Sequence, residues 1–126
     1  MKPKSLFIFN AFATTLFGLG SVVAPHPLMA LFGASLSPAG ALMMRYGGAW
    51  LIGIGLLAWL ARDAADSQAR RAIVLAFIVC YAIAFVVALL AQLAGVLNVF
   101  GWGTVALNLV LALGYAYVQF RGSRTA

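Results

Sequence analysis

The sequence predicts an all-α integral membrane protein, a four-helix bundle, and three observations carry that expectation. Of its 126 residues, 65% are hydrophobic and only 8% charged, where soluble domains carry about 25% charged residues. The apolar residues gather in four runs, about 5–24, 39–61, 72–95 and 97–120, each near the roughly 20 residues that a helix needs to cross a bilayer. Of eight Lys and Arg, all but Arg45 stand at the ends of those runs. The net charge of +6 therefore reads as a topology signal toward lipid headgroups, and nucleic acid is not an expected partner. One four-span domain fills residues 1–126, with no room for a large soluble module.

The first span follows Lys2 and Lys4 and has the look of a secretory signal. Its length, and Pro25 just after the only plausible cut at Ala24, make it a retained span instead. Asn10, Thr14 and Ser21 fall on one side of a helix turning 100° per residue, a side expected to face other helices because lipid offers no partner. Thr14 and Ser21 equally suit bonds to their own backbone carbonyls. Pro25 and Pro27 stop this helix, and LMALF (28–32) is apolar enough for a short interfacial segment, ended by Gly33 and Pro38. His26, the single histidine, reads as a solvated loop residue at the membrane edge.

The second span centres on MMRYGGAWLIGIGLLAWLARD, Met43 to Asp63. Gly48, Ala49 and Gly53 are its expected packing residues, since small side chains let helix backbones approach closely in lipid. Arg45 falls within about 60° of Gly48, Ala49, Ile52 and Trp59 around the helix, so it is expected to share the packing face. The polar connector from Arg62 to Arg71 holds both acids, Asp63 and Asp66. Helix capping by Asp66 or Ser67, with Asp63 balancing the arginines, explains them better than catalysis or a metal site.

On the third span Ala76, Cys80, Ala84 and Ala88 recur every four residues and form an expected close-packing seam that winds around the helix. Tyr81 and Gln92 share a face that should point inward. Cys80 is the single cysteine, so one chain cannot build a disulfide, a CxxC pair or a thiolate metal site. The fourth span presents Thr104, Asn108 and Tyr115 on one side. Trp102 near one interface, and Trp59, Tyr115 and Tyr117 near the other, read as aromatic belts.

Lys2, Lys4, the Arg62–Arg71 connector, Arg121 and Arg124 fall at one end of the spans, and both uncharged turns at the other. The positive-inside rule then puts both termini in the cytoplasm. Near the opposite end stand Arg45, Tyr46, Gln92, Asn98, Trp102 and Asn108, the candidate ligand-binding set. Two readings of Arg45 follow: it snorkels to outer phosphates as an anchor, or with Gln92 and Asn108 it lines a pocket for a lipid headgroup, a quinone or another small amphiphile. No Asp, Glu, His or Lys lies within the spans to serve as a general base, so no catalytic residue, cofactor or metal is expected.

The stretches APHPLMALFG, MRYGGAWLIGIGLLAWLARD and NVFGWGTVALNLVLALGYAYVQF together resemble small four-helix membrane proteins of bacteria, domains of unknown function near the DoxX-like group. The resemblance implies a four-helix bundle of the bacterial inner membrane and brings no catalytic residues. The function expected is that of a non-enzymatic accessory or scaffold protein, packing through its Gly and Ala seams with its own copies or a membrane partner. Membrane lipids surround it in either case. The alternative is a lipid-, quinone- or amphiphile-binding or transport-associated protein that uses the outer cluster around Arg45.

Overall fold

A computed structural model describes residues 3–125, with side chains to residue 121; Lys2 and the side chain of Arg124 lie outside the described residues. Among them the chain is all helix, in the order α1 (Pro3–Val23), α2 (Pro25–Leu31), α3 (Pro38–Ala61), α4 (Gln68–Leu93) and α5 (Gly101–Thr125). Four of these, α1, α3, α4 and α5, are long and apolar enough to cross a membrane. At 1.5 Å per residue, the 24 residues of α3 extend about 36 Å. That exceeds the roughly 30 Å hydrocarbon core. The chain is a membrane protein built as a helical bundle.

Local chemistry sets the helix ends. Two helices open on proline, at Pro25 and Pro38, where the missing N–H costs nothing. Ala24, just before Pro25, leaves the α region (φ −140°, ψ 65°) and so divides α1 from α2. Ser37 accepts a bond from the Gly40 amide at 3.0 Å, and Ser67 one from the Arg70 amide at 3.2 Å. These are N-caps, and of the two capping candidates in the connector Ser67 takes the role. The cap starts α4 at Gln68, one turn earlier than the apolar run implies, so Arg70 and Arg71 stand on the helix.

Both uncharged turns end their helices alike. Gly33 (φ 76°) and Gly95 (φ 74°) occupy the left-handed region that favours glycine. Their amides bond back to Ala30 and Gln92, and the next amides, of Ala34 and Val96, reach Met29 and Ala91. Each turn is a Schellman motif that satisfies the last carbonyls of its helix. The second turn delays α5 to Gly101, four residues later than the apolar run suggests.

α1 packs chiefly on α3, α4 chiefly on α5, and α1 also touches α5. The α1–α3 seam is made by glycine. A Cβ on Gly48 would stand 2.7 Å from the Gly18 carbonyl oxygen, and one on Gly18 would stand 2.8 Å from that of Gly48. About two turns further on, Gly55 lies against Ala11, Thr14 and Thr15. Gly48 thus packs as expected, while Ala49 and Gly53 do not: both are exposed, and a Cβ on Gly53 would meet nothing within 4 Å. The buried positions of α3 run 41, 48, 55, 58 and 61, which turns 49 and 53 to the outside.

On α4 the buried face is Val74, Phe77 and Tyr81 rather than the alanine stripe. Ala76 is exposed, and Cys80, Ala84 and Ala88 are half-buried as the four-residue stripe winds past the true seam. The large side chains win that face because they fill the space between helix pairs.

The four helices converge where the basic residues lie, at the start of α1 and α4 and the end of α3 and α5. Leu6, Phe7, Ala58, Ala61, Val74, Phe77, Leu111 and Tyr115 are among the core residues there. At its centre Asn10 and Tyr115 are 0% exposed and Tyr81 is 3%. The Tyr81 hydroxyl donates to Asn10 Oδ1, and Asn10 Nδ2 donates to the Tyr115 hydroxyl at 2.8 Å. An amide in hydrocarbon must be bonded or it costs several kcal/mol, roughly. One asparagine is therefore satisfied by tyrosines from two other helices, which ties α1, α4 and α5 at one depth. Phe7 packs edge-on against Tyr115 (5.4 Å between ring centres), and Phe77 stands 5.0 Å from it.

Outside this core, Lys4 pairs with Asp63 at 3.0 Å and Arg62 with Asp63 at 3.6 Å. The Lys4 hydrogen bond holds the Asp63 carboxyl below its ordinary value, with the Lys4 and Arg62 charges adding to it. Asp63 balances an arginine as expected, and a lysine of α1 as well.

Candidate binding site

The uncharged end is built differently. Beyond Tyr81 no residue of α4 is buried, although the helix continues to Leu93. Here α2, α1 and α5 flank an open cleft of about 370 Å³ lined by Phe17, Leu28, Leu31, Phe32, Phe100, Gly103, Thr104 and Leu107. Phe17 and Phe32 meet edge-to-face across it, their ring centres 6.1 Å apart. Leu31 and Phe100, both largely exposed, form its mouth. The one lining hydroxyl, that of Thr104, donates to the Gly101 carbonyl at 2.7 Å. With that bond made, the wall is hydrocarbon and aromatic edge.

Gly103 leaves part of this space open: a Cβ there would meet nothing within 4 Å. The pocket lies within the roughly 300–1,000 Å³ of small-molecule sites, though it lacks the few convergent polar groups that orient most ligands. Chemically it can accept an alkyl or isoprenoid chain. A carbonyl or phosphate placed inside would lose its hydrogen bonds.

The six residues expected to bind a ligand are not gathered into one site. Arg45 and Tyr46 lie exposed on the surface of α3. Among the described residues no hydrogen bond or ion pair joins Arg45 to Gln92, Asn98 or Asn108. The expected packing face for Arg45 fails for the reason that moved Ala49: the seam runs through 41, 48 and 55, and Arg45 stands at its edge. Trp102 is exposed at the start of α5, and Asn108 Nδ2 donates to the Thr104 carbonyl at 2.9 Å within its own helix.

Gln92 and Asn98 do come together, as parts of a turn. Gln92 Nε2 donates to the Asn98 carbonyl at 2.9 Å, and Gln92 Oε1 packs on Gly101, where a side chain would collide with it. Among the described residues Gln92 Oε1 is the one buried side-chain oxygen or nitrogen without a hydrogen-bond partner.

Asn98 spends every polar atom on structure. Its amide donates to the Phe32 carbonyl at 2.8 Å and its Nδ2 to the Leu31 carbonyl at 3.0 Å. Its Oδ1 accepts from the Phe100 amide at 3.0 Å, and its carbonyl accepts from Gln92 and Gly101. It clips the turn before α5 onto the end of α2, beside the pocket.

Sequence reasoning missed the pocket, whose walls look like ordinary apolar positions. The one available signal was Gly103, a residue without a side chain in a span whose neighbours are large. It missed the Asn10 network too, although Asn10, Tyr81 and Tyr115 sit at matching depths from the basic ends of their helices. Comparison with protein-family models, with curated proteins and with solved structures finds no match for this chain.

Proposed function

We propose that this chain is a non-enzymatic accessory protein of the bacterial inner membrane that holds the hydrocarbon tail of a membrane amphiphile between α1, α2 and α5. The single observation that carries the reading is the apolar cavity of about 370 Å³ with a mouth of exposed Leu31 and Phe100. Because lipid tails are as apolar as leucine, entry from the bilayer gains little from the hydrophobic effect. Retention then depends on close contact with three phenylalanine rings, which selects for chain shape. The head of the ligand stays outside, so a quinone would be held by its side chain and not by its ring.

The location and orientation rest on the positive-inside pattern and on the resemblance to DoxX-like four-helix proteins, with both termini in the cytoplasm and the pocket toward the outer leaflet. The test is native mass spectrometry of gently extracted protein beside Gly103→Phe, which adds a ring to the cleft lining at a position where a Cβ meets nothing within 4 Å. A lipid-mass adduct present in the wild type and lost in the variant is the expected result. Spectra without adducts, or adducts equal in both proteins, would end this reading.

A second reading, association with a further copy or a membrane partner, is favoured by Ala49 and Gly53, small residues left exposed on α3. In that case Gly53→Leu lowers the subunit number in the same spectra.

A further inference from the structure

We infer that α2 is a gate over the apolar pocket and that Asn98 is its clasp, an inference that rests on the pocket reading above. The two walls of the pocket differ in how they are held. Phe17, Gly103, Thr104 and Leu107 belong to α1 and α5, long helices fixed to each other through the Asn10–Tyr115 bond. Leu28 and Leu31 belong to α2, a helix of seven residues of which only Pro25 is buried, and Phe32 caps its end. A segment with so little buried surface opens locally at low cost.

α2 also has the joints that a gate needs. At one end Ala24 breaks the helix, with backbone angles outside the helical region. At the other, Gly33 turns through the left-handed region at φ 76°. Among the described residues, the hydrogen bonds joining α2 and its cap to the opposite wall are the two from Asn98, to the carbonyls of Leu31 and Phe32. Asn98 is exposed, so water competes for both. The clasp holds α2 beside the opposite wall and is weak enough to exchange. Phe100, two residues on, stands at the mouth, so the clasp holds together the two sides of the opening.

The test uses the full chain in detergent or nanodiscs and a phospholipid bearing a pyrene-labelled acyl chain, with association and dissociation followed by stopped-flow fluorescence. Asn98→Ala removes the side-chain bond to Leu31 and leaves the backbone amide bond to Phe32, and is expected to speed both association and dissociation by about fivefold. A faster dissociation with unchanged association would mean a lost wall contact and would overturn the gate. So would wild-type rates in a folded Asn98→Ala protein.

A second variant covers the case in which Asn98→Ala does not fold. Asn98→Asp keeps the oxygen that accepts from the Phe100 amide and removes only the donor to Leu31. It is expected to speed association and dissociation together. Wild-type rates in that variant would overturn the gate. The outcomes for the two claims separate cleanly. If the wild type binds no probe, pocket and gate both fall. If it binds and Gly103→Phe does not, but the clasp variants keep wild-type rates, only the gate falls.

Discussion

The two ends of this bundle are made from the same kinds of residue and reach opposite results. At the basic end Phe7, Phe77, Tyr81 and Tyr115 close around Asn10 until nothing remains exposed. At the uncharged end Phe17, Phe32 and Phe100 stand around an open space of about 370 Å³. Aromatic content therefore does not decide whether a membrane core is solid. The difference is made by what ties the helices together. A side-chain bond network joins three long helices at the basic end, whereas at the other end Asn98 joins only a turn to a short strap. Where the tie lies between long helices, side chains interlock; where it lies at the rim, the walls stand apart.

The largest way to break this contrast is at the α1–α3 seam shared by both ends. Gly48→Leu forces a side chain onto the Gly18 backbone, which cannot move aside, and is expected to cost about 3 kcal/mol or more. Thermal melting in detergent reads it, and a wild-type melting curve would contradict the seam. Next comes the tie itself. Asn10→Leu orphans two tyrosine hydroxyls and should cost about 2–4 kcal/mol, while Tyr81→Phe, which leaves only the Asn10 Oδ1 without its donor, should cost about 1–2 kcal/mol. Equal losses for the two would mean that Asn10 matters for its volume alone.

The open end should respond with the opposite sign. Gly103→Phe fills space instead of making it, so the melting temperature is expected to stay level or rise while ligand adducts disappear. Arg45→Gln should change stability by less than about 0.5 kcal/mol, as exposed substitutions usually do, and should leave any adduct in place. A large effect there would restore Arg45 to the site.

The smallest expected effect is the pH dependence of Asp63. Its carboxyl is held below its ordinary value by the Lys4 hydrogen bond, so its contribution to stability is complete above that value and is lost as pH falls through the lowered one. The pair is exposed, and salt should weaken the effect. Melting between pH 6 and 3, with and without added salt and beside Asp63→Asn, measures it.

The elements were legible because each rests on a local signal. Pro25 stopped α1, Ser67 capped α4, and Gly33 ended α2, all features that a few neighbouring residues determine. The inward face of α1 was legible too: Asn10, Thr14 and Ser21 are all buried, and the last two also bond their own helix. The α3 seam was half legible, since glycine richness pointed to close packing but could not choose 48 and 55 over 49 and 53. That choice depends on where α1 presents Gly18. The candidate site was hardly legible at all. Gln92 and Asn98 looked like ligand residues because polar groups near the membrane need partners, and they found those partners in a turn. The pocket is an absence of contact between helices, which no residue pattern writes down.

The most direct measurement is photolabelling with a fatty acid that carries a diazirine on its chain, followed by mapping of the labelled peptides. The account predicts labels concentrated at 28–32 and 100–107, few on the buried side chains Val74, Phe77 and Tyr81, and loss of the first group in Gly103→Phe. Labels spread evenly along every exposed helix face, unchanged by that variant, would show ordinary lipid contact and contradict a pocket at the uncharged end.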